Sequence, residues 1–357
     1  MPYLSPSARP RRALLWASVL PVASLLLGSC SALPDPLTPA QRLPALSGAA
    51  AVRDRAARTE DATASRAARL RADVDESACI GCAAALDAVA SGSQERVEAL
   101  GGMWDPWPQG PPDGVEPPAP SADAPMGVGA FVSWLVDSAE RDLDRAADPA
   151  VLEGDQARVL ALVALSRYES ALVLADAYGL PLGSGEDDVR AAVARQAAVA
   201  LADPAVDTWG LEALASGGGA LLPAVDYEQD ASTPSSEHLS AAIGVWDCVA
   251  QSLPRAEVVD EEVAGAVTTA DLLLRRVDDA LSSGAADTRV LRCSPPAATA
   301  AGLAAALIDA DLSLLDSDSR AVRLTGVHAA LDDVRRWRGS VDLGAALAPV
   351  GAAQSGS

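Results

Sequence analysis

Alanine and leucine dominate this chain, while it holds one phenylalanine (Phe131) and three isoleucines (Ile80, Ile243, Ile308), and aromatic residues make up only 3% of its 357 positions. Alanine and leucine give up little freedom on entering a helix, and no stretch keeps a two-residue alternation of apolar and polar side chains. Helix is therefore expected throughout, with almost no sheet. The natural packing of such helices is an all-α antiparallel bundle joined by short loops.

Apolar residues recurring at three and four place the helices. Val128, Phe131, Val132, Leu135, Val136, Ala139 and Leu143 make one stripe, ending near Asp148-Pro149. Leu160, Val163, Ala164, Arg167, Ala171, Leu174 and Ala175 mark the next helix, stopped by Gly179 and Pro181, and Glu186, Asp187 and Asp188 open another. Pro234-Ser235-Ser236-Glu237 reads as the start of a helix that Pro254 ends. Glu257 to Ser283 is expected as one long helix, with Val263, Val267, Ala270, Leu274, Val277 and Leu281 on the packed side and Arg275, Arg276, Asp278 and Asp279 elsewhere. Thr299–Leu315 and Arg320–Arg338 complete the set. Arg167 with Glu169, and Asp309 with Asp311, interrupt the two most apolar runs, so neither is a membrane span. The Ala-rich stretch from Ala49 to Val74 is expected to dock on the bundle rather than stand free as a stalk.

The N-terminus carries an address. Arg9, Arg11 and Arg12 precede an apolar run from Ala13 that ends in Leu27-Gly28-Ser29-Cys30. That is the plan of a secretory signal, too short to span a bilayer. The last four residues resemble the lipobox of bacterial lipoproteins, and the resemblance implies a diacylglyceryl group on the Cys30 thiol and cleavage just before it. Arg11-Arg12-Ala13-Leu14-Leu15 is also similar to a twin-arginine export motif, without its usual flanking residues. The expected division is a signal peptide at 1–29, a lipidated tether at 30–47, the Ala-rich helix and a Pro-rich loop at 48–126, a helical bundle at 127–339 and a disordered tail at 340–357. The expected location is the extracytoplasmic face of the cell membrane, held there by lipid.

Composition excludes several chemistries. All 27 basic residues are Arg, and both Lys and Asn are absent, a pattern of a GC-rich bacterial genome. Without Lys there is no Walker A loop, Schiff base or Ser-x-x-Lys acylation site. Removing residues 1–29 takes away three Arg and no acid, which leaves 24 Arg against 49 acidic residues and a net charge of −25. A phosphate backbone would meet a field of the wrong sign, so nucleic acid is not expected as a partner. An envelope protein or a cationic ligand is compatible with that field.

Beyond Cys30 the chain has four cysteines, Cys79, Cys82, Cys248 and Cys293, an even number in a chain read as exported. Disulfides are the first reading, and two long-range bridges are expected, each joining one of Cys79 and Cys82 to one of Cys248 and Cys293. The alternative is a thiol–disulfide exchanger using Cys79-Ile80-Gly81-Cys82. Such a site usually follows a strand and needs a low thiol pKa, whereas Asp73, Asp75 and Glu76 precede this one. A four-cysteine zinc site is disfavoured by the wide spacing of Cys248 and Cys293.

Other candidates are sparse. His238 and His328 are the only histidines and read as a helix-start residue and a core-edge residue. Gly127-x-Gly129 and Gly217-Gly218-Gly219 lack the strand that a phosphate cradle requires, and Asp309/Asp311 and Asp316/Asp318 read as solvated. Trp104-Asp105-Pro106-Trp107-Pro108 puts two large rings on a stiff turn, either a partner surface or a seal over a helix end.

The signal, the Ala-rich helices and the ending Ala329-Ala330-Leu331-Asp332-Asp333-Val334-Arg335-Arg336-Trp337-Arg338-Gly339 resemble ferritin-like helical-bundle envelope proteins of high-GC Gram-positive bacteria. The resemblance implies the fold over residues 127–339. It does not imply the metal chemistry, because a di-iron site wants Glu-x-x-His pairs and this chain has none. The expectation is a non-enzymatic, lipid-anchored, acidic and disulfide-braced bundle without metal or cofactor, with a binding or structural role. The alternative is an extracytoplasmic redox protein acting through Cys79 and Cys82.

Overall fold

A computed structural model describes residues 46–111, 123–180, 234–293, 296–344 and 346–347. Eight α-helices account for most of them, and there is no strand among the described residues. They are α1 (Gly48–Ala72), α2 (Cys82–Ala99), α3 (Val128–Ala146), α4 (Gly154–Ala177), α5 (Pro234–Val259), α6 (Ala266–Ser282), α7 (Ala300–Ser313) and α8 (Arg320–Arg336), with a 3-10 turn at Leu314–Asp316. The signal, Cys30, nearly all of the tether, the acids at 186–188 and the glycines at 217–219 lie outside the described residues.

Short loops fold consecutive helices back on one another as antiparallel pairs: α1 with α2, α3 with α4, α5 with α6 and α7 with α8. The first two pairs make one four-helix group and the last two make another, and α4 packs on α8 where the groups meet. One core runs from Ala56 and Leu143 through Leu160 and Leu165 to Val327 and Ala330. A second is built around Trp246, Leu273, Leu303 and Leu314.

The Ala-rich helix docks rather than standing free as a stalk. Ala56, Ala57, Glu60, Thr63 and Ala67 of α1 are completely buried. Small side chains at three- and four-residue spacing let a neighbouring backbone come close. The predicted α3 stripe is also the buried one, with Phe131, Val132, Leu135, Ala139 and Leu143 all in the core.

Four expectations need correction. The bundle begins at α1 rather than at residue 127, since α1 and α2 supply half of the first group. Pro254 does not end α5, which continues to Val259. The long helix expected from Glu257 to Ser283 is broken at Asp260–Gly265, where Gly265 takes a positive φ of 68° that a side chain would oppose. The tail drawn from residue 340 begins too early, because Leu343 and Leu347 are buried in the first core; residues 348–357 lie outside the described residues.

Candidate functional site

The Cys79–Ile80–Gly81–Cys82 turn enters α2, and its two cysteines are bonded to each other. Asp75 builds the approach: its carboxylate accepts from the Ser77 backbone N–H (2.9 Å) and hydroxyl (2.7 Å), and its carbonyl accepts from the Ala78 and Cys79 N–H groups. Gly81, at φ 91°, supplies the left-handed step into the helix. Cys82 is buried, Cys79 is half-buried, and Ile80 stands 94% exposed at the tip. Both sulfurs lie 3.3 Å from the Ala177 carbonyl oxygen, at the C-terminal end of α4.

Two helix ends act on the pair in opposite directions. The N-terminus of α2 favours a thiolate at Cys82. After reduction, however, each thiol faces an acceptor oxygen at the negative end of α4, which favours S–H over S⁻. Among the described residues no strand precedes the turn.

The second bond joins Cys248 on α5 to Cys293, in the segment after α6. The pairing is therefore Cys79–Cys82 and Cys248–Cys293, and the two long-range bridges expected from the sequence do not form. The physical reason is local: the Gly81 turn brings the Cys79 and Cys82 Cα atoms to 5.6 Å, and the segment carrying Cys293 lies along α5. That segment is held there by the Ala286 N–H donating to the Ser240 hydroxyl (2.8 Å) and by the Thr288 hydroxyl donating to the Ser240 carbonyl.

Each helical group also holds a buried charge network. In the first, Glu60 of α1 accepts from Arg96 of α2 (2.8 Å) and Arg167 of α4 (2.7 Å), and Arg167 donates in turn to Asp142 of α3 (2.8 Å). Arg96 completes its donors on the Ser166 and Ser93 hydroxyls. Burial opposes the charge on Arg167, yet Glu60 and Asp142 more than offset it, so its pKa is raised. Two carboxylates already neutralised by two guanidiniums offer little to a cation. Among the described residues no group of three or more His, Cys, Asp or Glu side chains is arranged to hold a metal.

In the second group, Arg276 of α6 donates to Asp333 of α8 (2.7 Å) and lies 3.8 Å from Asp311 of α7. The Trp246 indole N–H donates to Asp311 (2.7 Å). Burial, and then the neighbouring Asp333 charge, push the Asp311 carboxyl well above its usual range, against the opposing pull of the Arg276 guanidinium. Two sequence readings fail here. Asp311 is fully buried rather than solvated, and the packed side of α6 is Ala266, Thr269, Leu273, Arg276, Val277 and Ala280, so of the expected stripe Val263 and Val277 are buried while Val267 and Leu274 are exposed.

The remaining candidates are scattered. Trp104 and Trp107 are both half-buried, and the Trp104 backbone is tied to α1 by its N–H to Asp54 (2.8 Å) and its carbonyl from Arg58 (3.0 Å). His238 is half-buried near the start of α5. His328 of α8 has its Nε2 shielded and unpartnered, and burial lowers its pKa to about 4. The structure does not bring the two histidines, the tryptophan turn and the cysteines into one site. Comparison with protein-family models, curated proteins and solved structures gives no match.

Proposed function

We propose that this is a lipid-anchored, extracytoplasmic helical protein with a binding or structural role and no catalytic activity of its own. The observation that carries the reading is Leu27-Gly28-Ser29-Cys30 at the end of a basic and then apolar N-terminus. Two further features support it. Paired cysteines suit an oxidising compartment. No helix among the described residues is long and apolar enough to cross a membrane, and two acyl chains on Cys30 would suffice to hold the protein there. Cys30→Ser tests the reading: the variant should lose label from a radioactive fatty acid and leave the membrane fraction. A variant that stays in that fraction after a high-salt wash would mean that residues 13–29 are an uncleaved anchor.

A second reading, thiol–disulfide exchange at Cys79 and Cys82, is favoured by the closed Cys79–Cys82 bond with Cys79 part-exposed. A substrate thiolate would attack the Cys79 sulfur and release Cys82 as the thiolate. The Ala177 carbonyl beside both sulfurs counts against it. Alkylation rates against pH in the reduced protein discriminate: a thiol titrating at or below neutrality supports exchange, and one above the ordinary cysteine range supports a static brace.

A further inference from the structure

One surface cleft among the described residues gathers positive charge in a chain of net charge −22. It has a volume of about 460 Å³ and lies along α1 and α3, lined by Leu46, Asp54, Arg55, Arg58, Trp134 and Arg141 among others. Asp54 is already engaged, accepting from the Arg58 Nε (2.9 Å) and the Trp104 N–H (2.8 Å), and Arg58 also donates to the Trp104 carbonyl (3.0 Å). Arg55 and Arg141 are exposed, and neither guanidinium has an ion pair or hydrogen bond among the described residues. Elsewhere Arg96, Arg167, Arg276 and Arg320 each meet a carboxylate, as an excess of acids makes easy. Three guanidiniums against one carboxylate leave the lining at +2.

The geometry points to a binding site for a phosphomonoester that carries an apolar or ring-shaped substituent, either a soluble ester or the head group of a lipid. A phosphomonoester carries close to two negative charges at pH 7 and accepts forked donation from guanidinium groups, so it matches the charge and the donors together. A single carboxylate would leave one guanidinium unbalanced. The Trp134 ring, held 6.1 Å from the buried Phe131 ring, and Leu46 at the lip give the substituent an apolar surface. The site stands whether or not Cys30 carries lipid.

The test titrates the full chain with inorganic phosphate and with phenyl phosphate by calorimetry at physiological salt, and sediments it with phosphatidylcholine vesicles made with and without phosphatidic acid. Arg55→Gln and Arg141→Gln are run beside the exposed control Arg292→Gln, with circular dichroism confirming that each is folded. Saturable binding of phenyl phosphate, tighter than inorganic phosphate and weakened about tenfold or more by each cleft variant but not by the control, assigns a soluble ester. Binding that appears only with phosphatidic acid, with the same dependence on Arg55 and Arg141, assigns the lipid head group. Trp134→Leu should remove the preference for phenyl phosphate over phosphate. Failure of every probe to saturate, or binding that survives both arginine variants, overturns the site.

Discussion

Arg167 and Glu60 face each other at the centre of the first four helices, Nε to Oε1 at 2.7 Å, with neither side chain exposed to solvent. Around them α1, α2, α3 and α4 each contribute at least one charged side chain to one network. Buried charges of this kind fix which helices meet, but they are costly to break one at a time, because the partner left behind stays in the interior.

Arg167→Met should therefore lower unfolding free energy by about 3–5 kcal/mol, measured by urea denaturation, since it strands Glu60 and Asp142. Removing the exposed pair between Arg158 and Asp309 gives the comparison: Arg158→Ala should cost about 1 kcal/mol or less. Equal losses from the two would mean that the interior pair is not desolvated as described.

The two disulfides should differ in weight. The Cys248–Cys293 bond closes a loop of 45 residues, which constrains the unfolded chain by about 4 kcal/mol, whereas a separation of three gives about 1–2 kcal/mol. Cys248→Ser and Cys293→Ser should lower the melting temperature equally and by several degrees, and Cys79→Ser by much less. Peptide mapping after alkylation of the unreduced protein should find no peptide that links Cys79 or Cys82 to Cys248 or Cys293.

Glu169 on α4 sets a pH dependence. Burial, with the Asp342 charge adding to it, raises its pKa from 4.5 to about 7. The folded state then binds the proton more tightly than the unfolded chain, so this group's stabilisation is complete below pH 4.5 and is lost as pH rises through about 7. Glu169→Gln should raise the melting temperature at pH 8, and by no more than about 2–4 °C because the group is partly solvated. At pH 4 the variant and the parent should melt together.

The helices were legible because alanine and leucine carry the local preference and the apolar stripes repeat at three and four. The polar interior was less so, although its signal was there. Arg167 sits inside an apolar stripe, Glu60 follows Val52 and Ala56 at four-residue steps, and Asp311 continues Ala304 and Leu307. A charge at such a spacing marks a residue whose partner comes from another helix. That partner is a long-range fact: Arg167 reaches Glu60 across 107 positions and Trp246 reaches Asp311 across 65. The cysteine pairing failed for the opposite reason, because both bonds are more local than the loops expected. The Arg55 and Arg141 cleft left no sequence signature, since its residues come from two helices and acquire meaning only from what they lack.

The most direct test of the account is the mass of the N-terminal peptide of the protein taken from its native membrane. The account predicts a peptide that begins at Cys30 and carries the added mass of a diacylglyceryl group on its sulfur, with nothing remaining from residues 1–29. An unmodified Cys30, or a mature chain that retains residues 13–29, would contradict it.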